Sequence, residues 1–323
     1  MMKKLFVLLI LSIALVSCYE DYIKDFDYSG VYFVYPFDTR TMVVGEGLNI
    51  EIGVALGGVM ENTKDRNISF SIDNTLVTPA ILTAMKGGAT YIKNAVSGVT
   101  VLSPLPTDYY TLSNNSQMVI KAGEHSGYIV LRADSANFLA DPATISAAYA
   151  IALKITNADA DTILQNKRSS VIGIKYENML FGNYWHGGVT TVKDAGGTTI
   201  QTITYPTTIP TPENTIWKLT TVAPNALVTN GYSNITTSKG EMMLTLDGNN
   251  IIINSNSGST FVVEADGNST FNRAKLIQDR RIYLSYKYVN GDGNTCYAKD
   301  TLTFRNRIRD GVNEWQDENP SHY

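Results

Sequence analysis

His186-Gly187-Gly188 could turn backbone N–H groups toward an oxyanion, as acyl transfer requires. That chemistry also needs a nucleophile on a Gly-x-Ser-x-Gly turn between a strand and a helix, and the sequence has no such turn. Gly45-x-Gly47 lacks the third glycine of a dinucleotide loop. Asp159-Ala160-Asp161 and Asp292-Gly293-Asn294 could offer oxygens to calcium, but neither is followed by the glutamate of an EF-hand, so both read as turns. Three histidines and two cysteines exclude a Cys/His zinc framework. Glycoside hydrolysis needs two carboxylates flanking one bond. With 30 Asp and Glu some pair is inevitable, and none sits in a catalytic motif. The expectation is a protein without catalytic residues, metal or cofactor.

Binding chemistry is better represented. Tyr and Trp pair an apolar face with a polar handle, which suits the C–H faces and hydroxyls of a sugar. The 19 tyrosines include several in loop-like segments: Tyr109, Tyr110, Tyr205 and Tyr232. Trp315 stands in a polar tail, 305–320, whose charges alternate in sign. Tyr205, Tyr232 and Trp315 are the expected ligand-binding residues. The net charge of −4 argues against nucleic acid, which needs a basic face.

The elements that must position these residues read as strands. Alternation runs through Ile50, Ile52, Val54 and Leu56, through Ile68, Phe70 and Ile72, and through Ile151, Leu153 and Ile155. Further runs are 118–121, 127–132 and 171–176, with a short helix near 135–140. These predict an immunoglobulin-like, antiparallel β-sandwich over 26–178. A second block, 179–323, alternates at 217–222, 241–246, 250–254, 260–264, 281–289 and 296–305, with a short helix expected at 271–278. Asn290-Gly291-Asp292-Gly293 between two long strands is the firmest hairpin signal. The fold class is all-β, the second block being a lipocalin-like antiparallel β-barrel. Gly182-Asn183-Tyr184-Trp185 resembles the Gly-x-Trp opening of lipocalin-like barrels, shifted by one position. That resemblance makes Trp185 the plug of the closed end, with Arg305 and Arg307 of the last strand packed across it.

The N-terminus sets an address. Lys3 and Lys4 precede a twelve-residue apolar run, 5–16, too short to span a bilayer. Leu15-Val16-Ser17-Cys18 resembles the bacterial lipobox. Residues 1–17 are therefore expected to be a lipoprotein signal peptide, Cys18 the lipidated residue, and 18–25 an acidic tether. Tyr19-Glu20-Asp21-Tyr22 resembles the surface-export signal of Bacteroidetes lipoproteins. An outer-membrane lipoprotein facing the exterior is expected, anchored by the lipid on Cys18.

Leu105-Pro106-Thr107-Asp108-Tyr109-Tyr110, Val119-Ile120-Lys121-Ala122-Gly123-Glu124 and residues 149–156 resemble one domain of unknown function. It is the N-terminal domain of lipoproteins in Bacteroidetes glycan-utilisation loci, and it also precedes some endo-β-N-acetylglucosaminidases. Asp300-Thr301-Leu302-Thr303-Phe304-Arg305 through Asn319 resembles the companion C-terminal domain, which follows the first in lipoproteins lacking a hydrolase. The resemblance implies a non-catalytic surface protein that binds glycans for a neighbouring outer-membrane transporter. Two other readings stand beside it: a carrier of a small apolar ligand inside the barrel, and a structural or adhesin-like surface subunit. Large inward candidates, Ile282, Leu284, Tyr286 and Tyr288, weigh against the carrier.

Overall fold

A computed structural model describes residues 26–207, 210–257, 259 and 262–316. Cys18 and the acidic residues after it lie outside the described residues.

The N-terminal half runs β1 (Asp27–Tyr32), β2 (Phe37–Val44), β3 (Asn49–Val59), β4 (Arg66–Ile72), α1 (Pro79–Lys86), α2 (Thr90–Ala95), β5 (Ser103–Pro104), β6 (Tyr110–Leu112), β7 (Gln117–Ile120), β8 (Ser126–Ala133), α3 (Ser135–Ala140), β9 (Tyr149–Ala158), β10 (Thr162–Ile163) and β11 (Ser169–Asn178). One sheet has the order β10-β1-β3-β8-β6; the other has the order β2-β11-β9-β4-β7, with β5 beside β9. The alternating residues of β3, β4, β8 and β9 meet between the sheets: Ile50, Ile52, Val54, Ile68, Phe70, Ile129, Leu131, Ile151 and Leu153 are all buried. Each such side chain is worth roughly 1.5–3 kcal/mol of apolar burial.

Two features differ from a simple antiparallel sandwich. β1 pairs with β10, and β2 with β11, in parallel. Late strands thus close the sheet beside early ones. A third layer also covers the outer side of the second sheet, where Leu82, Met85, Ile92 and Val96 of α1, α2 and the turn after them pack on Ala150, Ala152 and Val171. This explains why β9 is buried on both faces over Ala150–Leu153. The signals for α1 are local: Thr78 accepts from the Ile81 amide at 3.3 Å, Pro79 takes the first turn, and Gly87 follows the last.

The C-terminal half runs β12 (Gly182–Lys193), β13 (Thr199–Tyr205), β14 (Ile216–Ala223), β15 (Ala226–Thr229), β16 (Gly231–Tyr232), β17 (Ile235–Thr236), β18 (Met242–Asp247), β19 (Asn250–Ser255), β20 (Val263–Ala265), β21 (Ser269–Phe271), β22 (Arg281–Val289), β23 (Thr295–Arg309) and β24 (Val312–Glu314). Strands β12-β14-β15-β18-β19-β21-β22-β23 follow one another, and β23 returns to β12, closing an eight-stranded antiparallel barrel. The β22–β23 turn is built as its sequence indicates: the Asn290 side chain accepts from the amides of Asp292 and Asn294. No helix forms over 271–278; β21 ends at Phe271, and only a single 3-10 turn, Ile277–Asp279, follows.

The barrel plug is not Trp185. Residues alternate across β12, so Tyr184 points inward and is fully buried, while Trp185 is half-buried outside the core. The interior indole is Trp217 of β14, fully buried. Gly231 is needed there, because a Cβ would come 2.4 Å from the Trp217 ring. Arg305 does stack over Trp185, 4.9 Å from its centroid, but on the outer wall. Arg307 faces the other way and pairs with carboxylates at the junction between the halves. No helix among the described residues is long and apolar enough to cross a membrane.

Candidate functional site

Among the buried polar clusters of the described residues, one lies inside the barrel and one at the junction. In the barrel, His186 and Asp300 are fully enclosed, with Nε2 2.9 Å from Oδ1. Trp217 stacks flat on the imidazole at 4.8 Å. The Tyr286 hydroxyl donates to Asp300 Oδ2 at 2.5 Å and accepts from the Ser233 amide at 2.6 Å. Burial and the Asp300 carboxylate hold the Tyr286 hydroxyl well above the ordinary tyrosine range. The glycines after His186 serve packing: a Cβ on Gly188 would lie 2.2 Å from the Lys299 carbonyl. His186-Gly187-Gly188 is thus a close strand approach, not an oxyanion loop.

At the junction, Glu46 sits on the turn between β2 and β3, facing the ends of β22 and β23. It accepts from Arg280 at 2.6 Å and from both terminal nitrogens of Arg307 at 3.2 and 3.0 Å. Arg307 Nε donates to Glu314, which also accepts from Arg309. Arg280 further donates to the Met179 carbonyl at 2.7 Å. Burial pushes the Glu46 carboxyl up, but the two guanidiniums outweigh it and hold it below the usual carboxylate range. Nearby, Asp310 accepts from the amide and hydroxyl of Thr41. These contacts join the β23–β24 hairpin to the N-terminal half.

The junction cluster opens on a cleft of about 1050 Å³. Its walls include the Glu46 turn, Arg273 and Lys275 of the segment after β21, and Asn313, Trp315 and Gln316 beyond β23. Trp315 is 57% exposed, so an apolar face stands beside guanidinium, ammonium and amide groups. A smaller groove of about 310 Å³ is lined by residues of both sheets of the N-terminal half, among them the exposed Tyr35 and Tyr128 with Arg40 and Ser170. No cluster of His, Cys, Asp and Glu suited to a metal occurs among the described residues.

The structure does not bring the three expected ligand residues together. Only Trp315 lines the cleft. Tyr205 of β13 is buried against His186 at 5.1 Å, and Tyr232 of β16, half-buried, packs edge-on to Tyr288 at 5.2 Å. Tyr109 is likewise a packing residue, bonded to Asp141 and set edge-on to Phe138 and Tyr149. Asp159 and Asp161 accept from Asn67 and Ser29, so they tie the segment after β9 to β4 and β1.

A family model described as a "-like, N-terminal domain" matches residues 24–162. No curated protein matches the chain. Among solved structures, a protein of unknown function from Bacteroides ovatus shares 20% identity, covers 90% of this chain and 98% of its own, and has a TM-score of 0.61. An auxiliary nutrient binding protein from Bacteroides thetaiotaomicron shares 16% identity, with 83% and 88% covered and a TM-score of 0.35. A further Bacteroides ovatus protein of unknown function shares 13%, with 84% and 90% covered and a TM-score of 0.38. The resemblance to two-domain Bacteroidetes proteins therefore holds. The N-terminal model spans much of the first half, and the first of these structures has the same fold along nearly the whole chain.

Sequence reasoning missed Arg273, Lys275, Asn313 and the Glu46 network. Gly45-Glu46-Gly47 signalled a turn, but nothing local showed that a carboxylate there meets guanidiniums more than 230 residues away.

Proposed function

We propose that the chain is a non-catalytic cell-surface lipoprotein that binds glycans at the junction cleft for a neighbouring outer-membrane uptake system. The observation that carries the reading is Trp315, an exposed indole on the rim of a large polar cleft. A ring of this kind stacks on the C–H face of a sugar, while Asn, Gln and Arg side chains reach its hydroxyls. The network behind the cleft holds that wall rigid, which lowers the ordering cost of binding. The lipobox-like Leu15-Val16-Ser17-Cys18 and the acidic residues after it support surface tethering. A carrier of apolar cargo fits less well, because Tyr184, Trp217, Phe271, Ile282 and Tyr286 fill the barrel.

The test is binding of the mature chain, with Cys18→Ser to prevent lipidation, to a broad immobilised glycan panel. Binding at micromolar to millimolar strength, competed by free ligand, is expected. Silence across the panel from folded protein contradicts the reading.

A further inference from the structure

We infer that the ligand of the junction cleft is an anionic saccharide, one bearing carboxylate or sulfate groups. This rests on the glycan-binding reading and narrows its substrate class. The whole chain is acidic, at −4, yet among the described residues the cleft is lined by five cationic side chains and two carboxylates. Both carboxylates are already engaged: Glu46 holds Arg280 and Arg307, and Glu314 holds Arg307 and Arg309. Neither is left to balance Arg273 or Lys275, which face the same space and form no ion pair among the described residues.

Neither cation neutralises a carboxylate among the described residues. Both are exposed on the segment between β21 and β22. Arg273 is nonetheless held: its guanidinium lies 5.6 Å over the Phe271 ring, and Nη2 reaches toward the Gly248 carbonyl at 3.4 Å. An arginine already oriented loses less freedom when a planar or tetrahedral oxyanion docks on its fork. Excess positive charge gathered in a concave wall also focuses field and concentrates anions. A neutral sugar would draw on Trp315 and the amides but leave this charge unanswered.

The experiment uses the mature Cys18→Ser chain and polymer pairs that differ only in charge. Polygalacturonate is set against its fully methyl-esterified form, and dextran sulfate against dextran. The charged member of at least one pair is expected to bind about tenfold more tightly at low ionic strength, with the gap closing as salt screens it. Which pair responds distinguishes carboxylate from sulfate. Arg273→Ala with Lys275→Ala should abolish the preference while lowering the thermal midpoint only slightly, through the lost Phe271 stack, and Lys86→Ala on α1, which does not line the cleft, should leave it intact. Trp315→Ala should weaken binding to the preferred polymer, which unspecific charge attraction would not require. Equal binding within both pairs, or a preference that survives the double substitution, overturns the inference. If neutral glycans then bind through Trp315, the glycan reading survives without it. If no glycan binds at all, both fail.

Discussion

The barrel interior and the junction both bury charge, but they do so to different ends. Inside the barrel, Asp300 meets His186 and Tyr286 under a stacked Trp217, and large aromatic and aliphatic side chains fill the space around them. At the junction, Glu46 and Glu314 tie three arginines together, and the cluster forms one wall of an open cleft. The first arrangement can specify packing but offers a ligand no room. The second can do both, because the same guanidiniums that lock the halves shape a surface solvent reaches. The difference favours the junction cleft over the filled barrel as the place for the proposed ligand.

The sharpest way to break this comparison is to perturb each cluster and watch stability and binding separately. Trp217→Ala should cost about 3–5 kcal/mol of stability by denaturant unfolding, since it empties the centre of the barrel. Glycan binding per folded molecule should be unchanged. Glu46→Ala should cost about 3 kcal/mol, because two nearly buried guanidiniums lose their shared carboxylate. Here binding should weaken as well, as the cleft wall loosens.

The same residue gives a pH signature. The folded-state value of Glu46 lies below that of the unfolded chain, so the unfolded chain binds more protons there. Its contribution is therefore complete above the ordinary carboxylate range, about pH 4.3, and is lost as pH falls through the depressed folded value. Stability curves of the parent and of Glu46→Gln should converge on the acid side; parallel curves would remove Glu46 from the account. Tyr286→Phe should cost about 1–2 kcal/mol, leaving Asp300 and the Ser233 amide short of a partner. The smallest stability effect, within about 0.5 kcal/mol, belongs to Trp315→Ala at the exposed rim. That variant should nonetheless lose the most glycan affinity.

Local pattern made the strands legible. Ile50–Leu56 and Ile151–Ile155 alternate because one face is a core, and the Asn290–Gly293 turn follows from side-chain acceptors at fixed offsets. The helix at Ser135–Ala140 carries its own cap, Asp134. The third layer was not legible from alternation, because α1 and α2 are short and their targets, Ala150 and Ala152, look like the solvent face of a half-buried strand. Of the residues expected to bind a ligand, the candidate site includes Trp315, an apolar residue in a polar tail. Trp185 misled because a one-residue shift in a strand exchanges inside for outside, and the interior position passed to Tyr184 and to Trp217 on a neighbouring strand. Tyr205 and Tyr232 lie in segments that look like loops but pack against His186 and Tyr288 of the barrel strands.

The most direct test of the central claim is a crystal structure of the mature Cys18→Ser chain with the tightest-binding glycan of the panel. The expected result is a sugar ring lying on Trp315, with its polar groups reaching Arg273, Lys275 or Asn313. A saccharide lodged inside the barrel, or against Tyr35 and Tyr128 with the junction cleft empty, would contradict it.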